Sequence, residues 1–296
     1  MCGLAFAAAH FLLLAFQAQL LERANASYLA RNSVDAVRLY QEYLANNPDR
    51  ADVRVFLGAA LFNLGKSEEA MAQAGLAIAI DKRYGRAYVL LGRVHASRND
   101  WRLAQQAFSE AARLDPRDRE AWYFSGRAYY EENLFEKSIE ALKRVHTLGE
   151  EQARVHENLG LAYEGLGRLP AAEAAYKRAI SLAGPDYRPY FAYGSFLRKQ
   201  GKTEQGLSLL RKAIELNPAS AETHFELAKT HLESDQVESA VRELRAAITL
   251  SDECRFRYLL SKAYSRQRRT EEAAGELKSL GSCLTDPASQ QLSDPR

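Results

Sequence analysis

The sequence predicts an all-α solenoid in which helical hairpins stack one after another along the chain. Small residues recur at a constant interval of 34 residues, as in Gly58, Gly92 and Gly126. Apolar residues spaced three and four apart surround them, which is the pattern of one helix face. Only 8 of the 296 residues are proline, and the stretches between them are rich in Ala, Leu, Glu, Lys and Arg, which favour helices.

The composition excludes several other classes of protein. Apolar residues make up 47% of the chain and charged residues 26%, which is ordinary for a folded soluble protein and unlike a disordered one. With 40 Lys and Arg against 38 Asp and Glu, the net charge of +2 is too near neutral for a strongly basic nucleic-acid binder. Three cysteines cannot form a disulfide-rich scaffold. Length alone suggests about two domains, whereas the constant interval favours one continuous solenoid.

The chain begins with an apolar segment, residues 1–16, which two interpretations fit. Apart from His10, residues 2–16 carry no acidic or basic side chain, and the run Phe11–Phe16 resembles the apolar core of an export signal. The segment is then a signal or an anchor, with membrane association through residues 2–21. No Lys or Arg precedes the run, so an additional apolar helix that caps the solenoid is the alternative. An exported protein, periplasmic or membrane-anchored, is favoured over a cytoplasmic one.

Each repeat is expected to contain two amphipathic helices. Three series of mostly small residues run in steps of 34: Gly58, Gly92, Gly126, Gly160 and Gly194; Ala36, Ala70, Ala104, Ser138, Ala172, Gly206 and Ala240; and Ala77, Ala111, Val145, Ala179, Ala213 and Ala247. Large apolar residues follow them by three or four positions, for example Leu61 after Gly58 and Phe108 after Ala104. The small residues let helices approach closely, and the large ones fill the space between repeats.

A turn signal recurs between the two helices of each repeat. It is supplied by Gly65, Asn99, Asn133, Gly167, Gly201 and the pair Ser234–Asp235. Gly and Asn end helices well because they tolerate the left-handed backbone conformation. Pro48, Pro116 and Pro218 follow second helices, and they mark repeat boundaries because proline cannot continue a helix interior.

This pattern resembles the tetratricopeptide repeat (TPR), a helix–turn–helix unit of about 34 residues. Residues 85–118 match closely, through Tyr88, Leu91, Gly92, His95, Ala104, Phe108, Ala111 and Pro116. The resemblance implies a right-handed α-solenoid, or superhelix, with a concave and a convex surface. Eight repeats are expected at 17–50, 51–84, 85–118, 119–152, 153–186, 187–220, 221–253 and 254–287. The first and last depart from the pattern, as capping repeats do, and residues 288–296 are expected to be a disordered tail.

In this family, peptide ligands lie in the concave groove, against first-helix residues at the second, fifth, ninth, twelfth and thirteenth positions of the repeat. At those positions this chain interleaves aromatic and cationic side chains. The candidate groove residues are Arg86, Val89, Arg93, Tyr123, Arg127, Arg154, Arg188, Phe191, Arg198, Phe225, Lys229, Tyr258 and Lys262. We expect them to bind a protein or peptide segment with acidic and apolar side chains. Ordinary solvated side chains on an open groove are the alternative.

The sequence contains no catalytic or cofactor-binding motif with the spacing that its chemistry requires. Gly58 and Gly65–Ser67 superficially resemble a phosphate-binding loop, but six residues separate the two glycines where that loop needs four. We therefore predict a non-catalytic scaffold without cofactor or metal, with assembly of a cell-envelope complex as its suggested role. The alternative is a recognition or regulatory subunit of an enzyme complex whose transferase or protease is another chain. Nucleic acid is not expected in the groove, because acidic residues such as Glu120 and Glu222 share that surface.

Two of the three cysteines fall within the last repeat. Cys254 and Cys283 lie near its first and thirtieth positions, which an antiparallel hairpin brings to the same end. A disulfide can form there if the protein is exported. Two independent thiols are the alternative.

Overall fold

The computed structural model describes residues 2–149 and 151–285. These residues form 16 helices and no strand: α1 (Cys2–Leu29), α2 (Ser33–Asn46), α3 (Ala51–Asn63), α4 (Ser67–Ile80), α5 (Gly85–Ser97), α6 (Trp101–Leu114), α7 (Arg119–Glu131), α8 (Phe135–Thr147), α9 (Ala153–Gly165), α10 (Leu169–Ser181), α11 (Arg188–Lys199), α12 (Thr203–Leu216), α13 (Ala221–Glu233), α14 (Val237–Leu250), α15 (Cys254–Arg266) and α16 (Thr270–Thr285). Consecutive helices stack as hairpins, which confirms the all-α solenoid and about eight repeats. The expected tail, residues 288–296, lies outside the described residues.

Close helix approach explains the small residues that recur along the chain. Between α7 and α8, a Cβ added to Gly126 would lie 2.7 Å from the Cγ of Leu142. The hydroxyl of Ser138 donates to the Gly126 carbonyl over 2.7 Å within the same contact. Between α11 and α12, a Cβ on Gly206 would lie 2.9 Å from the carbonyl oxygen of Gly194, which is backbone and cannot turn aside. The small-residue series therefore marks the contact inside each hairpin.

The turn between the two helices of a hairpin places one residue in the left-handed conformation. Glycines occupy three of these places, for example Gly65 with φ of 76° and Gly201 with φ of 73°. Asp235 is the left-handed residue of its turn, with φ of 55°. The arginines at the two terminal turns, Arg31 and Arg268, adopt φ of 59° and 58°, although neither has glycine's freedom there. The interval from Asp235 to Arg268 is one residue shorter than the others, as the sequence pattern of the last repeat indicated.

The residues of the chain group into two compact units. We call residues Met1–Glu150 and Leu161–Arg168 the N-terminal unit, and residues Glu151–Gly160 and Leu169–Arg296 the C-terminal unit. The core of the N-terminal unit buries Leu20, Tyr40, Leu61, Val94, Phe108 and Ala121, among others. The core of the C-terminal unit buries Leu207, Leu210, Leu227, Leu244 and Leu260, among others.

The first helix crosses the boundary that the sequence placed after residue 16. Neither Gly nor Pro occurs between Leu4 and Leu29, so nothing interrupts α1. The side chain of Gln17 is buried and accepts a hydrogen bond of 3.0 Å from the Asn47 amide, which ties α1 to the end of α2. Among the described residues, no helix has the length and apolar character needed to cross a bilayer. Membrane association through residues 2–21 stays a prediction.

Candidate functional site

Five of the expected groove residues lie in the N-terminal unit, on α5 and α7, and two of them are buried. Val89 and Tyr123 are only 5% and 7% exposed, because the fifth position of these two repeats turns into the packing between helices. The three arginines of the set, Arg86, Arg93 and Arg127, reach the surface or its edge. The accessible part of this face is therefore cationic, and its apolar character comes from other residues.

Arg93 lies between two aromatic rings. Its guanidinium carbon is 5.3 Å from the ring centroid of Phe62 on α3 and 5.9 Å from that of Phe124 on α7. A guanidinium within about 6 Å of a ring face is attracted by the ring quadrupole. The two rings restrict the side chain of Arg93 without neutralising its charge.

A cavity of about 320 Å³ opens beside this stacked arginine. It is lined by Phe62, Arg93, Ala96, Ser97, Trp101, Phe108, Phe124, Arg127 and Ala128. Phe108 is buried and stacks on Phe124, with ring centroids 5.2 Å apart, so it forms an apolar floor. Four aromatic rings and two guanidinium groups thus border one space, and no carboxylate is among its described lining residues.

The cations of the N-terminal face are the three arginines Arg86, Arg93 and Arg127. Within residues 2–149 and 151–285, no ion pair joins Arg86, Arg93 or Arg127 to an acidic side chain. The charge of Arg127 acts on the carboxyl of Glu131, which lies one turn further along α7. Burial raises the pKa of the Glu131 carboxyl, and the charge of Arg127 opposes that rise only in part. Arg127 therefore keeps its hydrogen-bonding capacity for another acceptor.

In the C-terminal unit, two cations of the expected groove, Arg198 and Lys229, bind this chain's own carboxylates. Arg198 is 10% exposed and donates to Glu226 over 3.0 Å and to Glu233 over 2.6 Å. Glu226 is itself 9% exposed and accepts a second bond, of 2.6 Å, from Lys229. Burial lowers the pKa of the Arg198 guanidinium, but the two carboxylates together raise it by more than burial lowers it. The net shift of this pKa is therefore upward. Arg198 and Lys229, which the sequence predicted to bind a ligand, therefore bind carboxylates of this chain instead.

Two exposed arginines of the expected groove in this unit, Arg188 and Arg154, each have an acceptor two residues away in the sequence. Arg188 binds Asp186 over 2.6 Å, and that bond lowers the pKa of the Asp186 carboxyl. Arg154 donates to the side chain of Gln152 over 2.9 Å. Both arginines stand just after the start of a first helix, so the preceding loop supplies their acceptors.

The expected aromatic residues of the C-terminal unit are mostly covered. Phe191 packs against the core cluster of Leu207, Leu210 and Leu227. Phe225 lies 4.8 Å from Phe256, ring centroid to ring centroid, under the cations of neighbouring side chains. Tyr258 is 47% exposed, and the ammonium of Lys262 lies 4.4 Å from its ring centroid. Tyr258 and Lys262 are exposed, and within the described residues no ion pair holds Lys262.

Cys254 and Cys283 are joined by a disulfide, with their Cα atoms 5.7 Å apart. The bond connects the start of α15 to the last turns of α16, and so closes the final hairpin. In the structure these two cysteines are therefore bonded to each other and are not independent thiols.

Sequence reasoning missed the residues at the sixth position of the repeat. Phe124 and Glu226 both occupy it, and they decide what the neighbouring cation contacts. It also missed Phe62, although this residue stands at the twelfth position of its repeat, which is one of the groove positions. It missed Trp101 because this residue begins a second helix, and the groove was defined on first helices alone. The signal in the sequence was the cation at the ninth position in two successive repeats, Arg93 and Arg127, each with aromatic residues nearby.

Comparison with known proteins places this architecture among tandem helical repeats. Residues 50–254 match the family model described as the Cilia and flagella-associated protein 70 C-terminal domain. The Homo sapiens Protein O-mannosyl-transferase TMTC1 is 27% identical over 156 residues, which are 51% of this chain and 18% of that protein. The chain therefore spans less than a fifth of the length of this relative.

Two solved structures resemble the fold. The APC/C hetero-tetramer Cut9–Hcn1 superposes with a TM-score of 0.68 at 17% identity, over 92% of this chain and 54% of that one. A tetratricopeptide repeat protein from Parabacteroides merdae superposes with a TM-score of 0.69 at 15% identity, over 83% of this chain and 98% of that one. At such identities the likeness is one of fold.

Proposed function

The chain belongs to the tetratricopeptide repeat family of the matched C-terminal domain model, and from this premise we propose a non-catalytic protein-interaction scaffold. Its ligand is a partner segment with acidic and apolar side chains. The observation that carries the proposal is the pair of cations on the N-terminal face, Arg93 and Arg127, which border an apolar cavity without a carboxylate partner in the described part of the chain.

The chemistry of this face selects the ligand. Guanidinium groups donate strong, directional hydrogen bonds to carboxylates. The aromatic rings beside them offer apolar contact area with little conformational entropy to lose. A basic partner segment would meet like charge, and an uncharged one would leave the guanidinium groups without acceptors.

The two units contribute unequally to this proposal. On the N-terminal face, Arg86, Arg93 and Arg127 supply the binding charge. On the C-terminal unit, Arg198 and Lys229 bind Glu226. The exposed arginines at the second position have acceptors in the preceding loop. Lys262, beside the exposed Tyr258, has no ion pair within the described residues. We therefore assign the principal site to the N-terminal unit and a weaker one to the exposed surface of α15.

The proposal is tested with the full chain and two blocked peptides, one alternating Glu with Leu and one alternating Lys with Leu. Fluorescence anisotropy should show binding of the Glu–Leu peptide alone at physiological salt. Arg93→Gln/Arg127→Gln should weaken it at least about tenfold, and Lys262→Gln, at the same repeat position in the C-terminal unit, by much less. Equal binding of both peptides, or no loss in the double variant, would remove the assignment.

An exported location and a role in assembling a cell-envelope complex are also proposed. The disulfide between Cys254 and Cys283 supports them, because such bonds persist mainly in oxidising compartments. Alkylation of thiols in the native cell, followed by mass analysis, should find these two cysteines protected until a reductant is added. Free thiols at Cys254 and Cys283 in freshly lysed cells would indicate a reducing compartment and would contradict the exported location.

A second candidate is the recognition subunit of an enzyme complex. The similarity to a protein named an O-mannosyl-transferase favours it, over about half of this chain. In that case the same face would hold a catalytic partner chain. Co-purification of the native protein with transferase activity would support this candidate, and that activity should leave the complex when Arg93 and Arg127 are replaced.

A further inference from the structure

The cavity of the N-terminal unit has the dimensions of a socket for one side chain. Its volume of about 320 Å³ lies at the lower end of the range for small-ligand sites, roughly 300–1,000 Å³. Phe108 closes the floor, Phe62 and Phe124 form walls, and Trp101 contributes from the first residue of α6. The space is too small for a helix to enter, and it is large enough for a Phe or Leu side chain.

The charges at the cavity determine what must accompany that side chain. Arg93 and Arg127 border the same space, so any occupant displaces water from at least one guanidinium group. A buried charged donor left without an acceptor is costly. A purely apolar occupant would impose that cost, whereas an occupant carrying a nearby carboxylate would replace the lost water.

The side chain of Arg93 is already restrained in a position from which it can bind a carboxylate in the cavity. Its guanidinium rests between the rings of Phe62 and Phe124, and within the described residues no carboxylate pairs with it. Fewer side-chain rotations are therefore lost when a carboxylate binds, which favours affinity. Arg127 stands on the exposed side of the cavity, where it can reach a carboxylate on the following residue of the ligand.

We infer that this cavity is an anchor socket for a bipartite element of the partner, namely one aromatic or large aliphatic side chain with a carboxylate on the adjacent residue. The inference rests on the proposed scaffold function and deepens it. The apolar side chain enters between Phe62, Trp101 and Phe108, and the carboxylate receives hydrogen bonds from Arg93 and Arg127. Specificity comes from requiring both groups together.

The chain provides its own reporter of occupancy. It contains 2 tryptophans, of which Trp101 lines the cavity and Trp122 donates its indole N–H to the Pro116 carbonyl over 3.1 Å. In a Trp122→Phe background, the emission reports on Trp101 alone. Probes are short blocked peptides in which alanines flank Phe–Glu, with Ala–Glu, Phe–Gln and Phe–Lys versions as matched controls.

The Phe–Glu peptide should shift the Trp101 emission in a saturable manner. Removing either group from the peptide should weaken binding at least about tenfold, and Phe–Lys should not bind. On the protein, Ala96→Leu should fill the cavity and abolish the shift while leaving both arginines in place. Ala274→Leu, an exposed helical alanine on α16, is the control for the added volume.

The outcomes separate this inference from the scaffold proposal. If Ala–Glu binds as well as Phe–Glu, or Ala96→Leu binds like the parent protein with an unchanged melting temperature, the socket is overturned while the acidic-segment scaffold stands. If neither these probes nor the longer Glu–Leu peptide bind, the scaffold proposal fails as well. The peptide substitutions leave the protein untouched, so the result does not depend on how Ala96→Leu folds.

Discussion

The two units use equivalent repeat positions in opposite ways. In the N-terminal unit the sixth position holds Phe124, and the cation from the preceding repeat, Arg93, stacks on its ring and stays charged toward solvent. In the C-terminal unit that position holds Glu226, and Arg198, from the twelfth rather than the ninth position of the preceding repeat, is buried against it. The side chain at the sixth position thus decides whether the cation that reaches it from the preceding repeat remains available to a ligand.

The largest expected effect comes from breaking the buried network of the C-terminal unit. Glu226→Leu should lower the free energy of unfolding by about 3–5 kcal/mol, because it leaves the largely buried Arg198 with only one of its two carboxylates. Hydrogen exchange followed by mass spectrometry should show the loss in α11 and α13. Arg127→Gln in the N-terminal unit is the matched control and should cost less than about 1 kcal/mol. Similar losses in both variants would contradict the comparison.

The disulfide should contribute nearly as much, and only to the C-terminal unit. Cys254→Ser/Cys283→Ser opens a loop whose ends are 29 residues apart in sequence, for which loop-closure entropy predicts a loss of about 3–4 kcal/mol. Denaturant unfolding with and without reductant measures it, read by exchange in α15 and α16. A reductant that leaves the unfolding curve of the parent protein unchanged would show that the bond contributes nothing.

A smaller effect, the dependence of stability on pH, is expected from an ion pair of the C-terminal unit. The Nδ1 atom of His224 lies 2.6 Å from Glu243, and this bond raises the pKa of the imidazole above its ordinary value despite burial. The resulting stability is complete below the unfolded pKa of about 6.5, and it is lost as the pH rises through the higher folded pKa. Melting temperatures between about pH 6 and pH 9 should therefore fall more for the parent protein than for His224→Gln. Parallel curves would exclude His224 as the cause.

The smallest expected effect is a gain, and it should be equal in both units. Arg31 and Arg268 hold left-handed conformations at the two terminal turns, where glycine stands in three of the inner ones. Arg31→Gly and Arg268→Gly should each relieve about 1 kcal/mol of backbone strain, offset in part by the entropy of glycine, for a net gain of about 0.5 kcal/mol. Thermal unfolding of the single variants tests this. A loss in either would mean that the arginine side chain stabilises its turn.

Much of the fold could be predicted because the repeat is local. Gly126 and Ser138 are close in space because they are only twelve residues apart on one hairpin. The turn residues Gly65 and Gly201 could be predicted because glycine is the residue that most readily adopts the left-handed conformation found there. The start of the first repeat was harder to place. Residues 2–29 are uniformly compatible with helix, so composition alone could not separate an apolar leader from α1.

The candidate site was less predictable, and the reason lies in the packing between neighbouring hairpins. A list of repeat positions treats Val89 and Arg93 as equals, but the first is buried and the second reaches the cavity. It also treats Arg127 and Arg198 as equals, although Glu226 neutralises the second. These distinctions depend on side chains that meet across repeats.

The sequence by itself determined that this chain is a stack of helical hairpins, because apolar residues spaced three and four apart mark helices and the period of 34 residues makes those helices pack at constant intervals. Only the tertiary structure decided which charges remain for a partner. Coulombic and aromatic contacts form between residues about one repeat apart, such as Arg93 with Phe124 and Arg198 with Glu226, and their strength depends on distances that no periodic pattern contains.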